Sequence, residues 1–163
     1  MFDSYSDRAR QVILIALWSA RTRGGSYIEP EDLLHAIIRE DRGEFAAVTS
    51  KIFPGDAPHQ DPPASFFSAS ASENLLRELQ QDPGLLHAGS DTGQPAPHFD
   101  MPISDSLKHI LKSAARVDHE NTKAIEPLDL LAGIVEDRDS TLAHLLRRRG
   151  ITRQRVAKAL SRS

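Results

Sequence analysis

The chain has 163 residues, no cysteine, one tryptophan and a formal net charge of −3. With 39% hydrophobic and 26% charged residues, it has the make-up of one ordinary globular domain or two small halves. The lack of cysteine excludes a disulfide framework, a zinc–thiolate site and a cysteine nucleophile. The longest apolar run, Val12 to Trp18, is too short to span a bilayer. Met1-Phe2-Asp3-Ser4 has no basic stretch ahead of an apolar core, so a cytoplasmic protein is expected.

Ser6 is a good N-cap, because its hydroxyl can accept from an orphan backbone N–H. Apolar residues then fall at 9, 12, 13, 16, 17 and 20, one face of an amphipathic helix. Trp18 lies near that face and is expected to be core or half-buried. Pro30 suits the first position of a second helix, where its missing N–H costs nothing. Leu33, Leu34, Ile37 and Ile38 supply the core stripe of that helix. A third helix is expected over about 43–52.

The middle of the chain differs. Eight of the ten prolines lie between Pro54 and Pro102. Proline removes a backbone donor and biases the preceding residue away from helix, so Phe53–Ser65 and Gly84–Pro102 read as loops or linker. Between them, Ser70-x-x-Glu73 resembles a capping box, and Leu75, Leu76 and Leu79 follow at helical spacing. This predicts a short helix over about 71–82, ended by Pro83-Gly84.

Beyond the linker the first pattern returns. Ser104 caps a helix with apolar residues at 107, 110, 111, 114, 115 and 117. Pro127 opens the next helix, with Leu130, Leu131, Ile134 and Val135 as its stripe. A third helix covers about 140–149, and Gly150 can end it in a left-handed conformation. Thr152 caps a last helix that buries Val156 and Leu160.

The recurrence is an internal repeat. Ile28–Ile37 reads I-E-P-E-D-L-L-H-A-I and Ile125–Ile134 reads I-E-P-L-D-L-L-A-G-I, identical at seven of ten positions with an offset of 97. Upstream, Ser6-Asp7 matches Ser104-Asp105 at an offset of 98, and Val12, Ile13 and Ala16 align with Ile110, Leu111 and Ala114. No alternating strand pattern occurs. The expected fold is all-α, about eight helices as two similar halves, with repeats at 1–53 and 103–163 flanking the linker of 54–102.

Charge follows the same division. Residues 1–53, 54–102, 103–139 and 140–163 carry −1, −6, −3 and +7. The basic end (Arg147, Arg148, Arg149, Arg153, Arg155, Lys158 and Arg162) could contact phosphates, which gives a nucleic-acid-binding helical protein as a distant alternative. The acidic linker would compete for that surface, and the basic tail can dock on the linker instead. Catalytic signals are poor. There is no G-x-x-x-x-G-K-[ST], H-E-x-x-H or G-x-S-x-G, so neither nucleotide binding nor catalysis is expected, and no metal or cofactor.

F-x-x-Y-S-D-R-A-R at Phe2–Arg10 and Y-I-E-P-E-D-L-L at Tyr27–Leu34 resemble the N-terminal domain of Clp-type ATP-dependent unfoldases of the ClpC and ClpA kind. The resemblance covers residues 1–52 and 103–160. It implies two four-helix repeats related by a pseudo-twofold, forming a module that receives substrate or adaptor proteins for an unfoldase ring. A free-standing regulatory protein docking on the Clp complex is the alternative.

The resemblance also implies a pocket in each half for a phosphorylated arginine side chain, made of an N-terminal hydroxyl and a glutamate at the start of the second helix. In the first repeat these fall on Ser6 and Glu31, with Asp7 and Arg8 beside Ser6 in the same motif. A helix N-terminus offers N–H groups to phosphate, and a carboxylate pairs with guanidinium. In the second repeat Ser104 matches the hydroxyl, but Leu128 stands in place of the glutamate. Loss of that charge-assisted contact would cost on the order of 1.5–3 kcal/mol.

Overall fold

The computed structural model describes residues 4–44, 65–81, 101–118 and 123–162. Those residues hold seven α-helices and no strand longer than a single bridge: α1 (Asp7–Thr22), α2 (Pro30–Asp41), α3 (Ala69–Gln81), α4 (Asp105–Asp118), α5 (Pro127–Glu136), α6 (Thr141–Arg148) and α7 (Arg153–Leu160). The helix expected at 43–52 beyond Glu44, the bulk of the two loops and the stop at Pro83-Gly84 lie outside the described residues.

Local chemistry sets the helix ends. The Ser6 hydroxyl accepts from the Ala9 N–H and caps α1, and the Ser104 hydroxyl accepts from Leu107 and caps α4. Pro30 and Pro127 take the first position of α2 and α5. Both helices carry a capping box built on carboxylates. Glu29 and Glu126 accept at the third residue, and Asp32 and Asp129 reach back to the N–H of Glu29 (3.0 Å) and of Glu126 (2.8 Å). Gly150 has a φ of 76°, which only glycine adopts at little cost, and it closes the turn into Thr152, the cap of α7.

The cap of α3 differs from the expected Ser70. α3 begins at Ala69, and its cap is Ser68, whose hydroxyl accepts from Ala71 N; Ser70 lies inside the helix. The entry to α3 is fixed by Asp41 at the end of α2. Its carboxylate accepts from the backbone N–H of Phe66 (2.7 Å) and of Phe67 (2.9 Å) and from the Ser65 hydroxyl (3.0 Å).

The helices share one core. α1 packs on α2 as α4 packs on α5, while α3 lies on α2 and α7 lies on α5. Leu33, Leu34, Ile37 and Ile38 are buried with their repeat partners Leu130, Leu131, Ile134 and Val135. Leu75 and Leu79 of α3, and Phe67 before it, belong to the same cluster. The helix of the proline-rich middle is thus a structural member of the first half. It is tied to the basic end by Glu78, which accepts from Arg149 (3.1 Å to Nε).

A pseudo-twofold relates the halves, and the backbone displays it. Tyr5 bridges Ile125, and Ile103 bridges Ile28. Ser6 N donates to Ile125 O (3.0 Å) and Ile125 N to Ser4 O (2.8 Å). At the other end, Ser104 N donates to Ile28 O (3.1 Å) and Ile28 N to Pro102 O (3.0 Å). Every residue in the first set maps onto one in the second by the sequence offset. Each half hydrogen-bonds its leading segment to the other half, as the two sides of an isologous contact do.

Candidate functional site

The pseudo-twofold decides which residues meet. Arg8 at the start of α1 pairs with Glu40 at the end of α2 (2.6 Å), and Arg23 just past α1 pairs with Asp32 at the start of α2 (2.7 Å). The two helices are therefore antiparallel. Ser6 and Glu31 stand at opposite ends of this hairpin, about 24 Å apart along the 16 residues of α1. The two residues cannot share one small ligand, and the pairing expected within the first repeat is not the one the fold makes.

Each serine instead faces the other repeat. The Ser6 hydroxyl donates to Glu126 Oε2 across the seam (3.1 Å). Ser104 lies against Ile28, which leads directly into Glu29, Pro30 and Glu31. Ser6 is thus juxtaposed with the α5 start, where Leu128 occupies the glutamate position. Ser104 is juxtaposed with the α2 start, where the glutamate is Glu31. A one-repeat reading of the sequence could not find this, because the signal lies in which segments cross between halves.

The surroundings of the two serines differ. At the Ser6 end, Glu40 is mostly buried, with a side chain 10% exposed. Burial pushes its carboxyl up, Arg8 pulls it back down, and the nearby charges of Asp41 and Glu126 raise it again. Three carboxylates and one guanidinium thus crowd the α1 start, and the Ser6 hydroxyl is already engaged both as acceptor and as donor. An incoming phosphate would meet like charge there. No bond corresponding to Ser6–Glu126 joins Ser104 to Glu29 among the described residues.

Asp7 projects into solvent, its side chain 91% exposed, and interacts with Arg10 one turn on. Arg8 is committed to Glu40. Glu31 is partly exposed and lies near Arg23, whose guanidinium is stabilised chiefly by its hydrogen bond to Asp32 and further by Glu29 and Glu31.

The basic end is largely engaged within the fold. Arg147 donates to the carbonyls of Val135 and Asp137, Arg149 pairs with Glu78, Arg153 pairs with Glu136, and Arg155 lies over the Phe66 ring at 5.4 Å. The expected docking of basic tail on acidic middle takes this concrete form at Arg149 and Glu78. No group of three or more metal-ligating side chains occurs among the described residues. No helix of those residues is long and apolar enough to cross a membrane.

No protein-family model matches the chain, and no curated protein matches it. Solved structures do. The N-terminal domain of the caseinolytic protease associated chaperone ClpD from Arabidopsis thaliana superposes with a TM-score of 0.63 at 22% identity, over 99% of this chain and 96% of that one. The Hsp104 N-terminal domain from Candida albicans superposes with a TM-score of 0.57 at 16% identity, over 93% and 85%. The likeness spans most of the domain on both sides, and the chain has the all-helical fold of the Clp-type chaperone N-terminal domain.

Proposed function

We propose that this domain is a receptor module that takes up substrate or adaptor proteins for a Clp-type ATP-driven unfoldase and performs no chemistry of its own. The observation that supports this reading is the fold match over 99% of the chain to a domain carried by a Clp chaperone. The crossing of the repeats refines the site. We read Ser104 and Glu31 as the partners of a phosphorylated arginine side chain. The first N–H groups of α4, a helix of 14 residues, and the Ser104 hydroxyl would face the phosphate. The Glu31 carboxylate would face the guanidinium. The Ser6 end lacks the second element, since Leu128 is apolar and Glu126 already holds the hydroxyl.

Isothermal titration with a phosphoarginine peptide tests the assignment. Glu31→Ala is expected to abolish binding and Ser6→Ala to leave it intact, with the fold of both variants checked by circular dichroism. Equal binding by wild type and Glu31→Ala refutes the site. A pull-down that recovers neither an unfoldase nor its substrates or adaptors from the source cell refutes the receptor reading.

A further inference from the structure

The outer stripe of α1 differs from that of its repeat partner. Residues 7, 10, 14, 18 and 21 fall on one narrow face of the helix. In α1 this stripe reads Asp7, Arg10, Leu14, Trp18 and Arg21, all exposed; Leu14 is 41% and Trp18 45% accessible. The same stripe of α4, at an offset of 98, reads Asp105, Lys108, Lys112 and Arg116, again all exposed. α1 packs on α2 and α4 on α5 in the same places in the two repeats, the first pair the more extensively. The fold therefore accepts charge at these positions, and packing alone does not explain a leucine and a tryptophan one turn apart facing water. Tyr27, in the turn after α1, is the third exposed large apolar side chain, and among the described residues all three lie between 14 and 27.

The occupant follows from size and charge. The three side chains offer together about 300 Å², taking ~150–250 Å² for a whole aromatic side chain and about half of each exposed. A lasting dimer needs ~800 Å² from each partner, so a second copy of this chain is a poor fit. Two apolar contacts one turn apart suit a single helical peptide. The stripe is bounded by Arg10 one turn before Leu14 and Arg21 one turn after Trp18. Asp7 is the lone acid on it and sits at its far end, near Arg10. We infer that the outer face of α1 docks an acidic amphipathic helix of a partner protein, its apolar side chains on Leu14 and Trp18 and its carboxylates against Arg10 and Arg21. The inference rests on the receptor reading but not on Ser104 and Glu31.

Trp18 is the only tryptophan and reports on its own site. The probe is a fluorescently labelled synthetic helix, free of tryptophan, with two leucines four residues apart flanked by glutamates; its control carries lysines in place of the glutamates. The acidic peptide should shift Trp18 emission to the blue and bind saturably by anisotropy, more weakly as salt is raised. Leu14→Lys, which installs the residue that α4 already carries, should weaken binding at least about tenfold, as loss of a central apolar contact does. It should leave phosphoarginine binding unchanged, whereas Glu31→Ala should do the reverse. Leu14→Gln serves if the lysine variant misfolds. The inference is overturned if the acidic peptide does not bind, if the lysine peptide binds as tightly, or if both Leu14 variants bind like the parent. A blue shift that grows with protein concentration alone, with a dimer in sedimentation, also overturns it and gives the face to a second copy.

Discussion

Gly133 sits in the middle of α5, where glycine is a poor helix former, and the structure says why it is there. A Cβ built on it would lie 2.8 Å from the backbone oxygen of Ile110 and 3.1 Å from its Cγ2. The aligned pair in the first repeat is Ala36 and Val12, both fully buried. One repeat thus combines the smaller helix residue with the larger partner, and the other reverses the choice. Gly133→Ala would gain up to ~1 kcal/mol of helix propensity. It would also force α4 and α5 apart, because the nearest atom is backbone and cannot rotate away; overpacking of this kind costs about 1–3 kcal/mol. The net expectation is destabilisation by roughly 1–2 kcal/mol. For a chain of this size that lowers Tm by about 2–4 °C per kcal/mol. Thermal and urea melts followed by far-ultraviolet circular dichroism read it directly. Ala36→Gly is the matched comparison, expected to lose about 1 kcal/mol through propensity and about 1 kcal/mol more with its buried methyl. A Gly133→Ala protein that is as stable as the parent, or more so, would show that α4 and α5 are not in the contact described.

Two further outcomes test the electrostatics. Asp32 is 4% exposed and accepts from Arg23 at 2.7 and 3.3 Å, so Arg23→Ala strands a buried carboxylate. With Arg23 itself 22% exposed, a loss of about 2–3 kcal/mol in urea unfolding is expected, below the ~3–5 of a fully buried pair; no loss would refute the pairing. His35 has a buried Nδ1 without a hydrogen-bond partner among the described residues, and burial, then Arg39, holds its pKa below the ordinary value. The unfolded chain therefore takes up the proton first, so stability holds above about pH 6.5 and falls as pH drops from there toward the folded pKa. His35→Gln should flatten that fall in urea midpoints measured between about pH 7.5 and 5.5. Glu40, whose pKa is raised, acts oppositely and in a more acidic window, adding stability as pH falls through its folded value.

Much of the fold is legible in the sequence because helix ends and helix faces are local. Ser6, Pro30, Ser104, Pro127, Gly150 and Thr152 each do what their own backbone neighbourhood dictates, and the apolar stripes of α2 and α5 are buried as spaced. Ser68 outcompetes Ser70 as the cap of α3 because Asp41, far away in sequence, pins the chain at Phe66 and Phe67. Trp18, expected to be core or half-buried, is 45% exposed, because position 18 lies on the side of α1 turned away from the buried Ala9, Val12, Ala16 and Ala20. The candidate site was half legible. Its residue types are visible in the motifs, but their partners are not. Which serine meets which helix start depends on Tyr5 crossing to Ile125 and Ile103 crossing to Ile28, contacts with no local signature.

The repeat also separates what the scaffold needs from what is free to change. Ile28, Glu29, Pro30 and Asp32 have identical counterparts in Ile125, Glu126, Pro127 and Asp129, and these residues make the bridges and capping boxes of the two seams. Within the same stretch the halves diverge at Glu31 against Leu128, His35 against Ala132 and Ala36 against Gly133. None of those positions makes a seam bridge or a capping-box bond. On α1 and α4 the halves diverge along most of the helix, and on the exposed stripe Leu14 and Trp18 stand against Lys112 and Arg116. A duplicated scaffold held by its seams can vary such positions without losing the fold. The variation is one-sided: the carboxylate at the helix start and the apolar stripe both lie in the first repeat. Binding surfaces built on this scaffold therefore need not come as a symmetric pair, and the two proposed above both draw on the first repeat, with the second contributing Ser104 and the α4 start across the seam.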